Sequence, residues 1–257
     1  SNGNISITGT ASGSTSGDTL GMAIDGYAST GRVVIESLGS GSITLDGSAT
    51  GTNKYDVRLS NVDVLAAGTS GGAISIIGRS SEVHVMAGTG SADDVYIGKK
   101  AGTTVSSSSA NVTLSAPKFV NYDGLVFDTS GTLTFEPYGD DFSSSFELPA
   151  SWTLASSISG LTIGKASTSS DGTNDVYVSI VPALTLSGDV ALYGDNVYLH
   201  SDIDTSNSAS GSILLAGQGY LGLADSIDLT TGGGDIILWS NRANVTDTTV
   251  VTNNEIN

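Results

Sequence analysis

The side chains able to do chemistry in this 257-residue chain are mostly carboxylates. Two adjacent pairs stand out, Asp93-Asp94 and Asp140-Asp141, and Glu136 and Glu147 flank the second. Glycoside hydrolases divide acid and base work between two such groups held across a sugar. Polysaccharide lyases instead combine calcium-binding acids with a Lys or Arg base. Neighbours on a strand point to opposite faces, so an Asp-Asp pair does not by itself bring two acids together. Both pairs also lie beside Gly or Ser, where turns are expected. Lys99, Lys100 and Lys118 follow no order that nominates a lyase base. The stretch 136–152 does combine acids with aromatics. Glu136, Tyr138, Asp140, Asp141 and Trp152 are therefore the candidate ligand-binding residues, for a carbohydrate lying in an outer groove. No residue is nominated as catalytic, and the expectation is that the chain is not an enzyme.

Metal chemistry has little to work with. The two histidines, His84 and His200, sit in strand-like phrases and read as outward-facing or strand-end residues. With no cysteine and no HExxH spacing, neither a thiolate zinc site nor a histidine-based one is expected. Calcium is the one cation with a candidate, at Ser170–Asp175 or at Asp202, Asp204 and Asn207. Neither set matches an EF-hand loop or a tandem G-G-x-G-x-D array, and Asx turns account for both. The expected cofactor set is empty. Thr113, Thr132, Thr134 and Thr162 do not recur in register, which argues against an ice-binding threonine ladder.

Charge excludes further classes. Asp and Glu number 26 against 9 Lys and Arg, a net −17, so no basic stripe exists to displace counterions from a nucleic acid. Anionic membranes are disfavoured for the same reason, and no apolar run approaches the length of a membrane span. The absence of Cys removes disulfides and suits a bacterial exported protein held by hydrogen bonds. The N-terminus SNGNISITGT has no basic region followed by an apolar one. The chain begins inside a strand phrase, and its end, NNEIN, reads as the start of a further coil.

These side chains must be positioned by repeating strands. Gly188, Gly211 and Gly234 stand 23 residues apart and open the phrases GDVALYG, GSILLAG and GDIILWS. Aliphatics recur at the third and fifth places: Val190 and Leu192, Ile213 and Leu215, Ile236 and Leu238. A second apolar pair follows at Val197/Leu199 and Leu221/Leu223, with Val245 near that place in the third row. A third apolar element comes at Ile203, then at Ile227 and Leu229, then at Val250. Each row thus predicts three short alternating strands, and one row cannot bury three such faces alone. Stacked rows can, because equivalent aliphatics pile into ladders. The predicted fold is an all-β, right-handed parallel β-helix with three strands and about 23 residues per coil, the hand following from the crossover rule. Earlier phrases, from Gly3, Gly41 and Gly72, fit G-x-apolar-x-apolar-x-G at wider spacings.

All five phenylalanines fall between 119 and 146, with Pro117, Pro137, Pro149 and Trp152 in or beside the stretch. The expected organisation is irregular coils over 1–116, a Phe/Pro-rich insertion or lobe over 117–154, and regular coils over 155–257.

The rows ISGLTIGKAS (158–167), VPALTLSGDVALYGDNVYLHSDI (181–203) and GSILLAGQGYLGLADSIDLTTGGGDIILWSN (211–241) resemble the repeat region of filamentous-haemagglutinin-like bacterial surface adhesins. The likeness is best over 158–241. It implies a right-handed β-helical shaft on the bacterial outer surface or secreted from it. Its partners would be neighbouring β-helix repeats of the parent protein and host or cell-surface glycans. No secretion-domain sequence is present, so the piece resembles the shaft alone, and no catalytic residues carry over.

Overall fold

In the computed structural model the described residues are 3–13, 18–26, 31–51, 54–67, 72–85, 94–102, 108–121, 124–166, 176–178, 183–240, 250–251 and 255–256. They contain strands and turns and no helix. In chain order come β1 (Ile5–Ser12), β2 (Thr19–Asp25), β3 (Val33–Ser37), β4 (Ile43–Thr50), β5 (Lys54–Ser60) and β6 (Val62–Ala66). Next are β7 (Ile74–Gly78), β8 (Val83–Val85), β9 (Val95–Ile97), β10 (Val112–Ser115), β11 (Phe119–Asn121) and β12 (Leu125–Phe127). Then follow β13 (Thr132–Glu136), β14 (Phe146–Glu147), β15 (Thr153–Leu154), β16 (Gly160–Ile163), β17 (Val176–Val178) and β18 (Leu184–Thr185). The last are β19 (Asp189–Leu199), β20 (Ile203–Thr205), β21 (Ile213–Leu223), β22 (Leu229–Thr231), β23 (Ile236–Trp239), β24 (Val250–Val251) and β25 (Glu255–Ile256).

The chain divides into two compact units, Ser1–Thr132 with Ser151–Ala155, and Leu133–Ala150 with Ser156–Asn257. The division runs through the aromatic-rich stretch 117–154.

In unit 1 each sheet takes every third strand: β1-β4-β7-β10, β2-β5-β8-β11 and β3-β6-β9-β12-β15. Every pairing along these paths is parallel. The register places Ile5, Ile43, Ile74 and Val112 side by side, and Ile7, Leu45, Ile76 and Leu114 two residues on. From β4 onward these residues are fully buried, whereas Ile7 on the outermost strand is 37% exposed. Each buried aliphatic contributes about 1.5–3 kcal/mol, so the stack is the main stabilising feature.

Polar groups close the connections of unit 1. Asp56 is buried on β5, and its carboxylate accepts from the Ala49 amide at 2.6 Å, the Ser80 amide at 2.7 Å, the Ser81 amide at 2.6 Å and the Ser80 hydroxyl at 2.9 Å. Buried Asp63 receives Arg32 Nε at 2.9 Å and the Ala101 amide at 3.2 Å. Arg32 also donates to Asn61 Oδ1 at 2.8 Å and lies 4.9 Å from the Tyr96 ring centroid. Asn61 is the corner between β5 and β6, with φ of 51°, a left-handed conformation that asparagine tolerates better than most residues.

In unit 2 one sheet runs β13-β16-β19-β21-β23-β24, with β14-β17 joining β19, and another runs β18-β20-β22-β25. The expected 23-residue register is present: Val190 pairs Ile213 and Ile213 pairs Ile236, while Leu192 pairs Leu215 and Leu215 pairs Leu238. Leu161 and Ile163 extend the two rows on the other side of Val190 and Leu192. Val190, Leu192, Ile213, Leu215 and Ile236 are buried, and Leu238 is half-buried. The opening glycine has a steric reason. A Cβ on Gly188 would lie 1.7 Å from the Ser159 carbonyl oxygen, and one on Gly234 would lie 2.3 Å from that of Gly211.

Two neighbouring strands expected in each row merge. β19 and β21 run through eleven residues each, their first halves carrying one apolar pair and their second halves the other. Register shifts once between them, after Gly194↔Gly217 and before Asn196↔Tyr220, so that β21 holds one extra residue there. Beyond this bulge the apolar residues pair again, Val197 with Leu221 and Leu199 with Leu223. The third apolar element resolves to Leu229, which pairs Ile203.

The end of the chain departs from the expected pattern. Val250, read as the next apolar element of the same coil, lies in β24 and pairs antiparallel with Ile237. NNEIN, read as the opening of a further coil, carries β25, which runs antiparallel to β22 with Ile256 beside Leu229. A strand edge presents unpaired N–H and C=O groups, and a returning segment satisfies them in either sense. Val245 lies outside the described residues.

Candidate binding surface

Four of the five candidate ligand residues follow one another in unit 2. Glu136 ends β13 and is half-buried, Tyr138 is 38% exposed, Asp140 is exposed and Asp141 is half-buried. Phe142 anchors this segment from below. It is buried, stacks on Phe146 at 5.5 Å between centroids, and Phe146 in turn meets Phe135 at 5.2 Å. Lys165 Nζ donates to the Gly139 carbonyl at 2.9 Å, tying the turn to the residues after β16.

Trp152 belongs to unit 1 and is 4% exposed, edge-on to Phe127 with centroids 5.8 Å apart. A ring covered on that scale offers no face to a sugar. The structure thus keeps Glu136, Tyr138, Asp140 and Asp141 on a single turn and gives Trp152 a core position. Acid–base cleavage needs carboxyl groups on two sides of a bound glycan, whereas Asp140 and Asp141 are consecutive residues of one turn.

Of the other candidates, Asp93, His84's side chain and Ser170–Asp175 lie outside what is described. Asp202 Oδ1 accepts from the Asp228 amide at 2.9 Å, and Asp204 Oδ1 accepts from the Ser206 amide at 2.8 Å, as in an Asx turn. Among the described residues no three His, Asp or Glu side chains gather as metal ligands would.

A different surface is assembled by β19 and β21. Val197 and Leu199 are buried, so the alternate residues Asn196, Tyr198 and His200 face outward. On β21 the outward places beside them hold Tyr220, which pairs Asn196, and Gly222, which pairs Tyr198. The Tyr198 and Tyr220 centroids are 5.3 Å apart, with ring planes inclined at 47°. His200 continues the row, nearly parallel to Tyr198 at 6.5 Å. Gly222 makes the arrangement possible. A Cβ there would meet Tyr220 Cε1 at 2.8 Å and Tyr198 Cδ1 at 2.9 Å, so both rings lie over the bare backbone. Tyr220 is 52% exposed and neighbouring Leu223 is 40% exposed. Asp195 and Asn196 border the rings, joined by an amide-to-carboxylate bond of 3.3 Å.

Sequence reasoning passed over these tyrosines because it followed the inward aliphatics. The signal was the alternate set, Tyr198 and His200 on one row and Tyr220 on the next. No protein-family model, curated protein or solved structure matches this chain.

Proposed function

We propose that this chain is a non-catalytic structural segment of a large secreted or surface-exposed bacterial protein. In this reading each unit is a stiff stretch of right-handed parallel β-helix with three strands per coil, of the kind the repeat phrases resemble. The supporting observation is the in-register stack, Leu161–Val190–Ile213–Ile236 in unit 2 and Ile5–Ile43–Ile74–Val112 in unit 1. Strand order supports three strands per coil, since unit 1 distributes its strands by threes. The right hand rests on the crossover rule for parallel strands. Acidic, hydroxyl-rich outer faces and the lack of Cys suit a shaft outside the cell.

Neighbouring repeats are the proposed partners. Ile7, on the outermost strand β1, is exposed where its equivalent Leu45 is buried, and a further strand layer would cover it. Single-molecule pulling between the chain ends tests the mechanical role. A shaft unfolds in discrete high-force steps, coil by coil. Smooth extension at low force would overturn the reading, as would release of reducing ends from a polysaccharide that Asp140→Asn abolishes.

A further inference from the structure

We propose that the Tyr198–Tyr220 face is a binding platform for a neutral polysaccharide. Sugar rings present flat patches of C–H edged by hydroxyls, and an exposed aromatic face bordered by amide and carboxylate acceptors complements both. Tyr198 and Tyr220 supply the face, with His200 in line. Asp195 and Asn196 supply acceptors at its margin. The glycine beneath the rings is what lets them lie close to the sheet, so the platform is shallow and open to an extended chain.

Charge selects the ligand class. The sequence contains no Lys or Arg from Ala166 through Asn241, so nothing on β19 or β21 can neutralise a sulfate, uronate or phosphate. Asp195 beside the rings repels such groups further. Tyrosine also anchors protein interfaces, so a protein occupant is the competing outcome that the experiment below separates. The site is separate from the turn at Glu136–Asp141, and it does not depend on the chain being a shaft.

Affinity electrophoresis through gels containing hydroxyethyl cellulose, galactomannan or polygalacturonate tests the proposal. Retardation by at least one neutral polymer is expected, and none by polygalacturonate. Tyr220→Ala and Tyr198→Ala should each weaken the neutral interaction about tenfold, the scale of one lost stacking contact. Tyr220→Phe should keep it, since the ring face remains. Gly222→Ala, which removes neither ring but displaces both, should weaken it too. A far-ultraviolet spectrum unchanged by Tyr220→Ala establishes that the sheet is intact. Indifference to all three neutral-site variants, retardation by polygalacturonate alone, or no retardation in any gel would each overturn the assignment. So would a dimer in sedimentation that Tyr220→Ala dissociates, because the face would then belong to a second copy.

Discussion

Unit 1 advances 38 residues between Ile5 and Ile43 and 31 between Ile43 and Ile74, whereas unit 2 advances 23 at each step from Val190 to Ile236. β1 to β3 use 20 residues where β19 and β20 use 14, so part of the addition lies in strands and the rest in connections. Longer connections cost more entropy to close and leave more backbone to satisfy. Unit 1 meets that with charge. Seven of the nine basic residues lie in it, and Arg32–Asp63, Arg58–Asp25, Arg79–Asp46, Lys99–Asp128 and Lys118–Glu82 join its coils. Unit 2 closes its short connections with hydroxyls, Thr205 donating to the Gly211 carbonyl at 2.9 Å and Thr231 to that of Gly234 at 2.8 Å. The ladder and the threonine closure are shared, since Thr129 of unit 1 donates to the Ala110 carbonyl at 2.6 Å, and the ion pairs are what unit 1 adds.

The comparison breaks most readily at the ladder. Leu215→Asp places a charge in a fully buried row and should cost unit 2 more than about 4 kcal/mol, read as loss of amide protection across β19, β21 and β23 while β4 and β7 stay protected. Protection lost in both units together would mean that they do not unfold separately. Next comes Asp56→Ala, which removes a buried carboxylate that accepts from the Ala49, Ser80 and Ser81 amides and should destabilise unit 1 by about 3 kcal/mol in urea melts. Asp56→Asn should recover only part of that.

Thr205→Val sharpens the contrast at the corner, with an expected loss of about 1 kcal/mol for one hydroxyl-to-carbonyl bond. A cost equal to that of Asp56→Ala would erase the distinction between charged and hydroxyl corners. Smallest is Arg79→Ala, because the arginine of this pair is exposed while its partner Asp46 is half-buried. The shift should stay below about 0.5 kcal/mol and vanish at high salt.

Much of the scaffold was readable from alternation. Tyr55–Leu59, Val62–Leu65, Val112–Leu114 and Leu161–Ile163 all appear as strands, because aliphatics at every second place bury one face whatever their partners are. β2 escaped notice although Leu20, Met22 and Ile24 alternate within it. Asp56 and Asp63 were opaque. Alternation directs a strand Asp toward water, and only the neighbouring connections, with their unpaired amides and Arg32, make an enclosed carboxylate favourable. Trp152 misled because a large aromatic beside a turn looks the same in sequence whether it caps a core or greets a ligand. Phe127, twenty-five positions earlier, settles the matter and is not visible from local pattern. The platform at Tyr198 was readable in principle, for its residues alternate with the very ones that defined the repeat.

The extra residue between Gly217 and Tyr220 has an evolutionary consequence. A slip of one position ordinarily turns every later side chain of a strand to the wrong surface. Here the misfit is confined to a few positions and the apolar residues beyond it pair again, Val197 with Leu221 and Leu199 with Leu223. Copies of such a unit can therefore gain or lose a residue without forfeiting their neighbours, so tandem duplication followed by drift remains a viable route to proteins of this kind. Sequence likeness between copies would fade long before their side-by-side alignment did.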